Sequence, residues 1–406
     1  MCMYFTKGIK QNGYIMCLHC NMKKYKHPIF SYIYNITSQC DDIILLIQDY
    51  IKSNTQTIAR GEEHTITLLE DNTIKCWGNN TYKQCNVPDS IQGKIISISC
   101  GLYFSVALLN DSTLRCWGDD KFRQCRPPKE IQGKVISISS GMYHTIALLE
   151  DNTVKCWGTG TYKQCDVPDS IQGKVIYISC GYGHCCVLLN DNSVECWGEN
   201  CHGQINIPDE IQYKVIDIVC SGHYTCALLN DMTVKCWGGD MFEQYDVPDS
   251  IKGKIVSISC GSYYGNIIAF LNDNTIRCWG NNSCGQCNIP NSIQSNIISI
   301  NIGSSYSCAL LNDMTVRCWG DNSVGQCDIP DFIQGKVESI ICGYDYTIAL
   351  INDNNKDINN IIICWGNDRD DQDRPSKKIQ GKIVSINCNI ECSTDILNDN
   401  TIKCWG

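Results

Sequence analysis

The chain has 406 residues, with 33 Lys plus Arg against 43 Asp plus Glu, and a net charge of −10. An acidic balance without clustered Lys and Arg argues against a binder of the nucleic-acid phosphate backbone, and no window reaches the ~20 apolar residues of a membrane-spanning helix. Thirty-one cysteines in a chain this long do not fit the small secreted disulfide scaffold, whose thiols compensate for a core too small to fold alone.

At the N-terminus, Gln11-Asn12-Gly13 between apolar runs is a hairpin signal. Ile15-Met16-Cys17 falls in register with Val154-Lys155-Cys156 further on, so residues 1–37 are expected to form a cap or a decayed repeat. Lys7, Lys10 and Gln11 interrupt any apolar leader. Cys17-Leu18-His19-Cys20 has the spacing of half a zinc site, with Cys2, His27 or Cys40 to complete it, but no second spaced pair follows, and neither metal nor cofactor is expected. Lys23-Lys24-Tyr25-Lys26 reads as a solvated loop. The apolar run 43–47 is long enough only for one strand or helical turn packed on the main body.

Residues 38–406 read as one repeat domain. All nine tryptophans lie in Cys-Trp-Gly: Trp77, Trp117, Trp157, Trp197, Trp237, Trp279, Trp319, Trp365 and Trp405, in steps of 40, 40, 40, 40, 42, 40, 46 and 40 residues. A fixed period near forty means one supersecondary unit copied and stacked. In the copy at 134–164 the apolar residues alternate with the two-residue period of strands. Val135, Ile136 and Ile138 open the first strand and Gly141 ends it. The run 145–149 is the second strand, Glu150-Asp151-Asn152 is a tight turn, and Thr153 to Trp157 returns as the third. A fourth is expected at Gln164-Cys165-Asp166-Val167, stopped by Pro168. Four short antiparallel strands per forty residues is the size of a propeller blade.

Gly141-x-x-His144-Thr145-x-Ala147-Leu148, the Asp-Asn turn, Trp157-Gly158 and Gln164 resemble the repeat of the regulator-of-chromosome-condensation family of β-propellers over about residues 55–406. In repeat length the chain is similar to the compact, β-lactamase-inhibitory type. The resemblance implies an all-β propeller of about nine four-stranded blades. It also raises guanine-nucleotide exchange on a small GTPase, or an inhibitor-like or glycan-binding role, as alternatives to plain protein binding. The last copy stops at Cys404-Trp405-Gly406, and Ser38-Gln39-Cys40-Asp41 matches Gln84-Cys85-Asn86, so the N-terminal segment is expected to complete the final blade. Two copies depart from the pattern: residues 352–360 insert an Asn-rich loop, and Asn389-Ile390-Glu391-Cys392 replaces the Gly-aromatic turn, with Asp395 at the place of Ala147.

Cysteines recur before Trp, after Gln and at the end of the first strand, as in Cys100, Cys180 and Cys260, while Ser140, Ile205 or Tyr245 replace them in other copies. Obligate pairing would not tolerate such replacement, so the thiols are expected to be mostly reduced and buried, in an intracellular, cytoplasmic protein. His64, His144 and His184 alternate with Phe104, Tyr224, Tyr264, Tyr306 and Tyr346, which no catalytic base would do; they are expected to pack the turn and bond locally. Cys185-Cys186 reads as strand filling, and no enzyme is expected.

Residues that vary between copies are free for recognition. In the expected topology the turn after the first strand and the loop after Trp-Gly share one face. That face carries Tyr82, Phe122, Tyr162, His202 and Phe242 together with Tyr103, Tyr143, Tyr182, His223 and Tyr263, among Asp119, Asp120, Lys121, Arg123, Glu199, Asp240 and Glu243. Aromatics set among charges match the composition of protein-binding surfaces. Val324 and Asp370 replace the rings later on, so the expected footprint of a protein partner on a monomeric chain lies on the first five blades.

Overall fold

The computed structural model describes residues 57–405, apart from 61–63, 69–71, 79, 240–245, 261–264, 274, 304, 343–345, 352–360, 367–382, 389–392 and 398–401. The N-terminal cap, the Ser38–Asp41 closing segment, Cys17 and Cys20, the Lys23–Lys26 run, residues 43–47, the 352–360 insertion and the 389–392 turn lie outside the described residues.

The described chain is all-β. Nine three-stranded antiparallel sheets follow one another in sequence order, over 57–78, 95–118, 135–158, 175–198, 215–238, 255–279, 297–320, 337–366 and 383–405. The third is typical: Val135–Ser140 pairs with His144–Leu149, which pairs with Val154–Gly158. Among the described residues no helix is long and apolar enough to cross a membrane.

Local chemistry explains each turn. Asp151 Oδ1 accepts from Thr153 N at 3.0 Å and Thr153 Oγ1 at 2.6 Å, and Asn152 sits at φ 62°. That is the left-handed conformation short polar side chains tolerate. The link back to the next sheet carries Gln172, whose amide reproduces a ladder rung: Oε1 accepts from Val154 N at 2.9 Å and Nε2 donates to Val154 O at 3.2 Å. Gly158 has φ +113°, and a Cβ there would stand 2.3 Å from Tyr143 O, so the residue after Trp must be glycine.

The second strands are the buried ones. Phe104–Leu109, His144–Leu149 and His184–Leu189 are buried at every position, and apolar clusters join each of the first five sheets to the next and the seventh to the eighth. Ile146, Leu148 and Val154 of the third sheet pack on Val175, Ile178 and Trp197 of the fourth, as stacked repeats require.

The fourth strand expected at 164–167 does not form; the segment runs as turns and extended chain outside any sheet. Its carbonyl has another use. Trp157 Nε1 donates to Gln124 O at 2.9 Å, Trp197 to Gln164 O at 2.9 Å and Trp237 to Gln204 O at 3.0 Å, each 33 residues apart. Opposite Trp, a hydroxyl often adds a second donor, as Ser105 Oγ does to Gln84 O at 3.0 Å and Thr225 Oγ1 to Gln204 O at 3.3 Å. The glutamine segment therefore joins its sheet to the following one instead of extending its own ladder.

Thiol chemistry is mixed. Cys186–Cys196, Cys226–Cys236 and Cys308–Cys318 are disulfides between directly facing strands, with Cα atoms 4.1 Å apart. They arise where both members of one cross-strand pair are Cys; in the second and third sheets Cys116 and Cys156 face Val106 and Ile146 instead. The expectation of mostly reduced thiols did not foresee these pairs, while Cys100, Cys185, Cys287 and Cys342 are buried and outside any disulfide.

Candidate functional site

The two-face geometry is realised. Asp119 N donates to Tyr103 O, Thr159 N to Tyr143 O and Glu199 N to Gly183 O, each at 2.9 Å, tying the loop after Trp-Gly to the first turn of its own sheet. At the other end Asn110 N donates to Lys94 O at 2.7 Å and Gly133 N to Ser112 O at 3.0 Å, gathering the Asp-Asn turns and the links on the opposite face.

On the first face, rings from one sheet meet rings from the next. Tyr82 lies 5.0 Å from Tyr103 between centroids, Phe122 lies 5.1 Å from Tyr143 edge-on, and His202 lies 4.6 Å from His223, which also meets Tyr182 at 5.3 Å. Tyr162 has no such partner in line, because Gly183 occupies the position of Tyr103 and Tyr143. Tyr82, Phe122 and Tyr162 nevertheless stay 46, 37 and 53% exposed. Phe242, Tyr263, Asp240 and Glu243 lie outside the described residues.

The charges on this face are partly committed to the loops. Asp119 accepts from Lys121 N and Gln124 Nε2, and Asp120 accepts from Cys125 N and pairs with Arg126 at 2.6 Å. Lys121 Nζ stands 5.4 Å from the Phe122 centroid, a cation over a ring. The acids therefore shape the loops that hold the aromatics, and Lys121 and Arg123 are the exposed charges beside Phe122.

Tyr213, Met314 and Phe332 were not anticipated. They are 67, 43 and 60% exposed, on the opposite face with the Asp-Asn turns and the links. Tyr213 holds φ 66° where Gly93, Gly133 and Gly173 stand in other copies, and that replacement was the signal in the sequence.

The recurrent histidines do not bond locally. His64 Nε2 reaches Ser105 Oγ at 2.9 Å, His144 Nε2 reaches Cys185 Sγ at 3.2 Å and His184 Nε2 reaches Thr225 Oγ1 at 3.0 Å, each bridging to the next sheet. Since Ser105 gives its own proton to Gln84 O, His64 Nε2 is the donor to Ser105. Burial holds His64 down to about 4 and His184 to about 3, so both are neutral at pH 7. In the sixth sheet the equivalent position is Asn266, and Tyr264 lies outside the described residues; the turn there is two residues longer.

Among the described residues, two groups of side chains lie close enough together to hold a metal ion: His144 with Cys180 and Cys185, and His184 with Cys186 and Cys220. Cys186 of the second group is already bonded to Cys196.

The family model for the regulator of chromosome condensation (RCC1) repeat matches residues 57–84, 95–124, 135–164, 175–204, 255–286 and 297–326. No curated protein matches the chain. Among solved structures, the ectodomain of the Physcomitrella patens receptor kinase CR4 is 20% identical over 66% of this chain and 73% of that one, with a TM-score of 0.48. The CRINKLY ectodomain of the Arabidopsis thaliana receptor kinase ACR4 is 25% identical over 65% and 94%, at 0.47. Yeast RCC1 (Prp20), crystallised bound to Kap60, is 17% identical over 68% and 81%, at 0.47. On its six matched repeats, the propeller-like chain belongs to the regulator-of-chromosome-condensation repeat family.

Proposed function

We propose that the chain is a non-enzymatic protein-interaction propeller that docks a protein partner on the face carrying Tyr82, Tyr103, Phe122, Tyr143, Tyr162 and His202. One observation carries the reading. Rings from successive sheets meet in pairs and still expose Tyr82 and Phe122, so the aromatic surface is held in place before a partner arrives. Rigid aromatics lose little conformational entropy on binding and are the residues that most often dominate interfaces.

In this reading residues 38–406 form one ring of about nine blades and residues 1–37 a cap. Ring closure is supported by Ile402–Trp405 of the ninth sheet, which approaches Ile74–Gly78 of the first to within 8 Å between Cα atoms.

The test is capture of partners by the wild type, by a Tyr82→Ala, Phe122→Ala, Tyr162→Ala variant and by an opposite-face Tyr213→Ala, Phe332→Ala variant. A protein lost only from the first variant supports the face. Loss only from the second moves the interface to the links, and equal capture by all three sinks both. Stimulated GDP release from a small GTPase would instead select nucleotide exchange.

A further inference from the structure

We propose that His144, Cys156, Cys180 and Cys185 form a zinc site between the third and fourth sheets. Opposite Trp in the second strand, seven of the nine sheets carry a hydroxyl: Thr65, Ser105, Thr145, Thr225, Ser307, Thr347 and Ser393. The fourth sheet alone carries a thiol there, Cys185. That is the residue His144 meets, so the His-to-hydroxyl bridge of the first and fourth sheets becomes, at this one joint, an imidazole facing a thiol.

A second thiol completes the departure. Cys180 pairs with Cys185 across the hairpin, four residues intervene, and the sulfurs are 3.7 Å apart. Four intervening residues is within the usual spacing of structural zinc ligands. Two sulfurs bound to one tetrahedral zinc at ~2.3 Å stand about 3.8 Å apart, and a sulfur and an imidazole nitrogen somewhat closer. The observed 3.7 Å and the 3.2 Å from His144 Nε2 to Cys185 Sγ match those edges, and the three ligand atoms lie within 4.8 Å of one another. Cys156, the thiol before Trp157, lies beside Cys185 and donates to Gln164 O and Cys165 Sγ at 3.2 Å each; as fourth ligand from the third sheet it would exchange those bonds for the metal.

His144 and Cys185 are fully buried, and a site walled by two packed sheets suits a structural ion rather than a catalytic one. Binding would displace the thiol protons and tie two repeats together, adding its free energy to folding. The neighbouring His184, Cys186 and Cys220 group does not qualify, since Thr225 occupies His184 Nε2 and Cys196 occupies Cys186.

The experiment uses the full chain, reduced, stripped of metal and titrated with Zn2+ alone, then with Co2+ as a spectroscopic stand-in. The expected result is about one tight zinc per chain, a tetrahedral cobalt spectrum with thiolate charge-transfer bands, and a thermal midpoint that falls on chelation. Cys185→Thr restores the hydroxyl found in other sheets, so it should fold, bind no zinc tightly and ignore chelator. Absence of stoichiometric zinc in the wild type, a cobalt spectrum without thiolate bands, or undiminished zinc in Cys185→Thr each overturns the site.

Discussion

Asp217 is a carboxyl where the other sheets do without one. It is 1% exposed in the first strand of the fifth sheet, and among the described residues its Oδ1 has no hydrogen-bond partner. Six of the eight equivalent positions hold Ser, at 97, 137, 257, 299, 339 and 385, and Tyr177 holds another, so no repeat geometry demands the acid. Desolvation lifts its carboxyl from 3.8 to about 7, a Ile218 backbone hydrogen bond offsetting part of it. Between about pH 4 and 7 the folded chain keeps a proton that the unfolded chain has released. Stability therefore falls as pH rises through that window and is flat on either side. Three pH units correspond to about 4 kcal/mol, and relaxation around the charged form reduces this to about 2–4 kcal/mol. Asp217→Asn removes the charge and keeps the shape. It should match the wild type at pH 4 and exceed it by that amount at pH 8, measured as the difference in unfolding midpoint at each pH. Tyr177 and Cys260 feel the same charge and should titrate more readily in the variant. A midpoint difference that is the same at both pH values, or a less stable variant at pH 8, would refute the argument.

Two further substitutions test how sheets join and where strain is held. Trp157→Phe removes the one side-chain donor that reaches Gln124 O among the described residues, whereas Trp117→Phe leaves Ser105 on Gln84 O. The first should cost about 2–3 kcal/mol in urea unfolding and the second about 1 kcal/mol less; equal losses would mean the indole bonds are incidental to packing. Tyr213→Gly relieves a left-handed residue and restores the glycine of other links, and should raise stability by about 1 kcal/mol. A stability decrease would show that the exposed ring makes contacts that outweigh its backbone strain.

The strands were legible because their signals are local. Alternation in Val135–Ser140 and His144–Leu149, the Asp151-Asn152 turn and Gly158 all act within a few residues, and each falls where the pattern placed it. Contacts across 33 or 41 residues were not legible in the same way. Nothing near Gln124 indicates that its carbonyl will meet Trp157, and nothing near His144 indicates Cys185, because stacking alone brings them together. The expected fourth strand failed for that reason: the residues were assigned a ladder when their partners belonged to the next repeat. The aromatic face is an intermediate case. Its position followed from counting strands, while the pairing of Tyr82 with Tyr103 and Phe122 with Tyr143 required knowing how close adjacent sheets lie.

The same logic sets one joint between repeats apart. His64, His144, His184 and Tyr306 each reach across to a residue of the following sheet, Tyr306 OH donating to Tyr346 O. Asn266 is too short to cross; it bonds instead to Asn281 O at 2.6 Å and Cys287 Sγ at 3.3 Å, just beyond its own sheet. Beyond it, Ile300 and Trp319 are only partly buried where Ile178 and Trp197 are buried, and among the described residues no apolar cluster joins the sixth sheet to the seventh. Trp319 Nε1 and Ser307 Oγ still hold Gln286 O, so the polar staple is kept at this joint. In a stacked array stability is a sum of repeats and their interfaces, and a joint that keeps its hydrogen bonds without a ring bonded across it among the described residues contributes less to that sum.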